Sequence, residues 1–258
     1  VYWEDQPKKW LYRLHCATRN PEVVSCRVEK KDFIVWASKL QSDYRPSNEV
    51  ASKIAQIDLI ALIGPTGVGK STLMDQLDMP DVLSDVTREA RPGEKDGENY
   101  NFKTDYLKII EQIKAGNYIQ FLIGMNGEFY GTHISAYPAS GSCCMAVLSS
   151  ELDHFESIGF KSITPFYIMP PSYVEWMRRI GGVRAKDLLS RIGEARQSLL
   201  NAAEREDYNF VLNDTLDLAV KDIKDVLNGD VVNQHRAQLA QGTADILLER
   251  IGDDESDV

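Results

Sequence analysis

The chain has 258 residues, 43% of them hydrophobic and 26% charged, with a formal net charge of -10. That size and balance fit an ordinary globular protein of one large domain, or a medium one with appendages. The acidic balance argues against a nucleic-acid polymer as partner, because phosphate-backbone binding is normally carried by a cationic surplus. No run is apolar for the ~20 residues a membrane crossing needs, so no membrane association is expected. Val1-Tyr2-Trp3-Glu4-Asp5 lacks the basic-then-apolar pattern of a secretory signal. The chain opens on Val rather than Met, which leaves room for a segment before it. Cys16, Cys26, Cys143 and Cys144 form no C-x-x-C pair. Cys143 and Cys144 lie in an apolar run and are expected to pack as small hydrophobes, in a reducing, cytoplasmic setting.

Three parts follow in chain order. Residues 1–57 form a leading segment with no role that the sequence reveals. Within it Val23 to Val28 fits a strand, Lys31 to Leu40 fits a helix or a strand, and Ser47 to Ile57 fits a helix capped by Ser47. Residues 58–229 alternate apolar runs with amphipathic stretches, which predicts a parallel α/β sheet flanked by helices. Leu59 to Ile63 reads as a buried strand and Ser71 to Leu77 as the start of a helix. Met145 to Leu148 and Thr164 to Met169 read as further strands. Residues 184–206 form a long helix, Tyr208 to Leu212 a late strand, and Leu216 to Leu227 a helix stopped by Gly229. Residues 230–258 form a tail: Val232 to Ile251 makes one or two helices broken near Gly242, followed by a disordered acidic end.

Gly64-Pro65-Thr66-Gly67-Val68-Gly69-Lys70-Ser71 matches G-x-x-x-x-G-K-S/T. Glycines let the backbone wrap an anion so that several N–H groups point inward. The following helix directs its N-terminal partial charge at the same phosphate. Lys70 is expected to reach the β- and γ-phosphates of ATP and Ser71 to hold Mg²⁺, with Thr72 beside it. The motif follows an apolar strand and precedes a helical pattern, the context such a loop requires.

A phosphate loop alone does not separate kinases from ATPases or GTPases. The next segment does. Ser84-Asp85-Val86-Thr87-Arg88-Glu89-Ala90-Arg91-Pro92-Gly93-Glu94, continuing through Gly97, Tyr100 and Phe102, resembles the guanylate kinase signature S-x-x-T-R-x-x-R-x-G-E-x-x-G-x-x-Y-x-F. Gly127 to Thr132 resembles that family's G-x-x-Y-G-S/T element, Phe166 to Ser172 its strand ending in P-P-S, and Tyr208 to Leu216 its closing V-x-N-D-x-L. The resemblance covers about residues 58–229. It implies a P-loop NTPase-type fold with a small monophosphate-binding insertion (about 84–135) and an arginine-bearing lid (about 178–191). The implied activity is phosphoryl transfer from ATP to a nucleoside monophosphate, GMP or dGMP first.

From residue chemistry, Arg88 and Arg91 near Tyr100 and Tyr130 suit a phosphate monoester, since arginine forks bind its oxygens in pairs and phenols add neutral donors. The resemblance assigns these four to the acceptor phosphate, Ser84 and Gln120 to its base, and Thr132 to substrate binding. It assigns Arg179, Arg184 and Arg191 to a lid over the ATP phosphates, and Asn213 to the neighbourhood of the adenine. Taken singly, each cation also fits a solvated surface role, and Asn213 a turn.

Two departures concern the base and the metal. Gln120 stands where the family carries a glutamate, so an acceptor-only group becomes one acceptor and one donor. Val147-Leu148-Ser149-Ser150-Glu151 lacks the family's aspartates, leaving Ser149 or Glu151 as substitutes. The alternatives are therefore a kinase for a modified or deoxy nucleoside monophosphate, a non-catalytic module binding nucleotide or a phosphorylated partner, and, more weakly, a plain ATPase or GTPase.

Overall fold

The computed structural model describes residues 28–91, 93–124, 126–181 and 185–256. Cys16, Cys26, Arg184 and most of the Val23 to Val28 stretch lie outside them. The chain folds as two compact units, each assembled from two stretches.

The larger unit takes residues 51–82 and 135–258. Its sheet is parallel, in the order β6 (Gly141–Ala146), β1 (Ile57–Ile63), β7 (Ser162–Met169), β8 (Asn209–Leu212). Leu59 to Ile63 are buried almost completely, as expected where a parallel sheet is covered on both faces. The strand expected at Met145 to Leu148 lies earlier, because Gly141–Ala146 pairs with Ile57–Leu62 and the chain leaves the sheet at Val147. Cys143 and Cys144 are buried on it, and burial raises both thiols, with Asp81 adding to the effect at Cys144. Helices α3 (Lys70–Met74), α5 (Leu152–Ile158), α6 (Tyr173–Ile180), α7 (Ala185–Ala203), α8 (Leu216–Asn228) and α9 (Gln234–Ser256) belong to this unit. Gly229 stops α8 in a left-handed conformation (φ 72°), its N–H capping the helix.

The tail departs from expectation. It is one helix without a break at Gly242, and it runs through the acidic end to Ser256. Ala240, Ala244, Leu247 and Ile251 are all buried at spacings of four, three and four, one continuous stripe that spans the glycine. Packing of that stripe against β8 and α7 outweighs the cost of about 1 kcal/mol for an interior glycine. Arg236 fastens the start of α9, donating to Asp222 at 2.6 Å, to both carboxylate oxygens of Asp214 at 2.9 and 3.0 Å, and to the Leu212 carbonyl at 2.8 Å.

The smaller unit takes residues up to 50 and 83–134. Its sheet runs β3 (Asn101–Phe102), β2 (Asp85–Val86), β5 (Phe129–His133), β4 (Tyr118–Ile123). One face of this sheet is covered by α4 (Tyr106–Lys114) and by α1 (Lys30–Leu40) from the leading segment. Phe33, Ala37 and Tyr44 share a core with Ile109, Ile113, Tyr118, Phe121 and Phe129. The alternatives for Lys31 to Leu40 resolve as helix, and Ser47 caps α2 (Asn48–Ile54) by accepting from the Val50 N–H at 3.3 Å. Polar ties accompany the packing: Tyr44 donates to the Tyr118 carbonyl at 2.7 Å, and Gln41 accepts from the Ile123 N–H at 2.7 Å.

Candidate active site

The phosphate loop leaves the carboxyl end of β1, where ligands bind in open α/β sheets. A Cβ on Gly64 (φ 134°) would lie 2.5 Å from the Ile168 carbonyl oxygen, and one on Gly69 (φ 98°) 2.5 Å from the Asn213 amide nitrogen. The loop thus needs glycine for both conformation and space. The helix after it is a single turn and a residue, so the orphan N–H groups of its first turn matter more than a long helix dipole. Lys70 Nζ donates to the Gly64 carbonyl at 2.6 Å and to the Pro65 carbonyl at 2.9 Å. Burial pushes its pKa down to about 8, partly offset by Glu194. The ammonium is therefore held where a phosphate oxygen, a stronger acceptor, would compete for it. Ser71 and Thr72 are exposed at the mouth of the loop. Among the described residues, no three His, Cys, Asp or Glu side chains gather as a metal site.

Of the residues assigned to the lid and adenine, Arg179 and Asn213 meet at the same loop. Ser172, ending the P-P-S element, caps α6 by accepting from the Glu175 N–H at 3.2 Å. From α6, Trp176 donates to the Thr66 carbonyl at 2.9 Å, and Arg179 donates to the Val68 carbonyl at 3.3 Å and the Asn213 carbonyl at 3.0 Å. Glu175 accepts from Arg178 and Arg179, and those hydrogen bonds lower its pKa to about 2. Asn213 is buried, and its side-chain amide donates to the Val68 carbonyl at 2.7 Å. Asn213 and Arg179 thus both hold the loop at the Val68 carbonyl. Arg191 sits half-buried in α7, and Arg184 falls outside the described residues. Trp176 and Glu175 carried no assignment in the sequence, although the four-residue step from Glu175 to Arg179 is a recognisable helix pair.

In the smaller unit the β4–β5 hairpin sorts the side chains. Gln120 lies opposite Thr132 and Leu122 opposite Tyr130, with a bulge between Tyr118 and Gln120. The bulge lets Tyr118 join Phe121 and Phe129 in the core while Gln120, Tyr130 and Thr132 share the other face. The Gly124 N–H donates to the Glu128 carbonyl at 2.9 Å where the hairpin turns. Gln120 is 4% exposed, and its Oε1 is buried without a hydrogen-bond partner among the described residues. An acceptor left so costs stability unless a ligand donates to it.

Arg88 is buried, its guanidinium 4.7 Å from the centre of the Tyr100 ring and 5.5 Å from that of Phe102. Glu94 grips it with two bonds, of 2.6 and 2.8 Å, and also accepts from the Arg91 N–H at 2.8 Å. Burial alone would raise Glu94; the Arg88 fork and the Arg91 N–H outweigh it and hold the carboxyl below its ordinary value. Arg88 Nε is buried and unpartnered among the described residues. Arg91 is exposed, and the Tyr130 hydroxyl accepts from Asn126 at 2.7 Å. Glu94 lies in the motif, and residue chemistry did not single it out as the partner that holds Arg88. Beside Ser84, Asp85 is buried and accepts from Tyr118 at 2.7 Å and Asn101 at 3.0 Å, anchoring the strand. In the larger unit Ser149 accepts from Asn201 at 3.3 Å, and burial raises Glu151 above the ordinary carboxylate range.

A lysine-bearing glycine loop on a parallel sheet, with an arginine–tyrosine cluster in the smaller unit, fits the nucleoside monophosphate kinase class of P-loop proteins. A family model described as guanylate kinase matches residues 56–230. The chain is 32% identical over 183 residues to a guanylate kinase of Prochlorococcus marinus, covering 66% of this chain and 96% of that protein. It is 29% identical over 192 residues to the human guanylate kinase, covering 69% and 95%. A crystal structure of guanylate kinase from Anaplasma phagocytophilum shares the fold with a TM-score of 0.50 at 22% identity, covering 67% of this chain and 85% of that one. The chain belongs to the guanylate kinase family.

Proposed function

We propose that the chain transfers the γ-phosphate of ATP to the phosphate of GMP or dGMP, giving GDP or dGDP. The observation that carries this reading is the Arg88 guanidinium held against Tyr100 by the Glu94 fork, in a chain that also keeps a complete Gly64–Ser71 loop. An ATPase or GTPase has no use for that second anion site. The catalytic domain is assigned to residues 58–229, with the acceptor part at about 84–135 and the lid at about 178–191.

In this reading the loop N–H groups and Lys70 hold the β- and γ-phosphates, and Ser71 is the protein's ligand to Mg²⁺. The metal would supply charge neutralisation between the phosphates. Arg88, Arg91, Tyr100 and Tyr130 hold the acceptor phosphate as nucleophile. Ser84 and Gln120 read the base, and Thr132 binds the substrate. Arg179, Arg184 and Arg191 neutralise charge on the group in flight and exclude water. Positioning and electrostatics suffice, with no covalent intermediate. Among the described residues no helix is long and apolar enough to cross a membrane, and a cytoplasmic setting suits the free thiols of Cys143 and Cys144.

A second reading, favoured by the amide at Gln120, keeps the chemistry and changes the acceptor base. A panel of nucleoside monophosphates in a coupled ADP-release assay separates the two. GMP turning over fastest supports the first, and an inactive GMP beside a strongly active alternative selects the second. Binding of Mg–ATP with no transfer to any acceptor would make the protein a binding module.

A further inference from the structure

The leading segment lies outside the stretch that the family model matches, yet it reaches the strands that bear the phosphate-site residues. Lys30, in the first turn of α1, donates to Glu128 Oε1 at 2.6 Å. The other oxygen of the same carboxylate accepts from the Thr87 hydroxyl at 2.8 Å. Thr87 in turn accepts from the Phe129 N–H at 3.0 Å through its side chain, and its own N–H donates to the Phe129 carbonyl at 3.2 Å. Each end of this linkage sits one residue before an anion-site group: Thr87 precedes Arg88, and Phe129 precedes Tyr130. Together with the β2–β5 ladder that pairs Val86 with Tyr130, the linkage holds the spacing of Arg88 from Tyr130.

Charge makes the lysine matter more than its geometry. Glu128 is a carboxylate two residues from Tyr130 and bonded to the neighbour of Arg88. Left without a cation, it would repel a phosphate dianion arriving there. Lys30 side-chain exposure is 39%, against 17% for Glu128, so the cation reaches in from the surface to neutralise a more enclosed anion.

We propose that Lys30 is a positioning residue for the acceptor phosphate, acting through Glu128 and Thr87 and borne on a helix this chain adds to its acceptor unit. The proposal rests on the reading of Arg88 and Tyr130 as the acceptor-phosphate site. The test uses the full chain, with GMP and ATP varied separately. Lys30→Met is expected to raise the acceptor KM about fivefold, the scale of one partly exposed charged hydrogen bond, leaving the KM for ATP unchanged. Lys30→Arg restores it. Adding Glu128→Gln to Lys30→Met brings the acceptor KM back towards its starting value, because the unneutralised charge is gone while an amide carbonyl still accepts from Thr87. A purely structural role for Lys30 would not be rescued by losing its partner's charge.

An acceptor KM indifferent to Lys30→Met, equal shifts in both KM values, or no rescue by Glu128→Gln overturns the proposal. Titration with ribose 5-phosphate under saturating Mg–ADP, followed by NMR, provides an arm that needs no base and no turnover. If no monophosphate is turned over but ribose 5-phosphate binding follows the same pattern of loss and rescue, the kinase reading fails and the role of Lys30 stands. If GMP is turned over with a KM blind to Lys30, the reverse holds.

Discussion

On the proposed reading, the two units would hold phosphate by opposite means. The larger one uses backbone: glycines without room for a side chain, N–H groups of one helical turn, and a lysine held on the loop's own carbonyls. The smaller one uses side chains: a guanidinium laid on a tyrosine ring and gripped by a carboxylate. Backbone geometry is set by the fold and is indifferent to what the phosphate is attached to. A side-chain site rests on partners that single substitutions can exchange. The loop should therefore be the less adjustable of the two, and specificity should be tuned in the acceptor unit.

The sharpest way to break this contrast is at the lysine. Lys70→Ala should lower kcat/KM by about 10³, the scale of removing a preorganised charge from phosphoryl transfer, in steady-state assays with either substrate varied. A modest loss would mean that the loop's N–H groups suffice alone. Next, Arg88→Ala should raise the acceptor KM by about a hundredfold, for two charge-assisted hydrogen bonds, with little change for ATP. Arg88→Lys should recover only part of it, since an ammonium lacks the fork. Equal effects on both substrates would refute the separation of roles.

A smaller effect comes from protonation. With the free-state pKa of Lys70 lowered to about 8 by burial, the ammonium is mostly charged at pH 7 and mostly neutral at pH 9. Phosphate favours the charged form, so Mg–ATP affinity should fall about tenfold between those values, one pKa unit of linkage. Binding should take up a proton above pH 8, measurable by calorimetry in buffers of different ionisation enthalpy. Affinity flat across that range would place the ammonium outside the nucleotide's reach. The smallest expected effect tests adjustability: Gln120→Glu should improve kcat/KM for GMP about fivefold relative to IMP, which lacks the 2-amino donor that a second acceptor oxygen would take.

Where contacts are local or motifs short, the sequence was readable. The runs at Leu59 to Ile63 and Thr164 to Met169 read as strands and are strands, and the Gly64–Ser71 spacing carries its own geometry. The leading helix was not readable as part of the acceptor unit, because Phe33 and Ala37 pack on Phe121 and Phe129, partners far along the chain that no periodicity reveals. Gly242 misled for a related reason: propensity is local, whereas the Ala240–Ile251 stripe is decided by what covers it. In the site, Arg88 and Tyr100 were visible in the motif. Glu94 as the grip on Arg88, and Asn213 as a brace on Val68, follow from side-chain directions that spacing alone does not give.

The two-stretch construction of the acceptor unit has a consequence for biosynthesis. Roughly a hundred residues separate Phe33 from Phe129. At ~5–20 residues per second, the aromatic face of the first helix waits on the order of 5–20 s for the strand that will cover it. A nascent chain in that interval carries a sticky amphipathic segment with no home, a natural substrate for a chaperone at the ribosome exit.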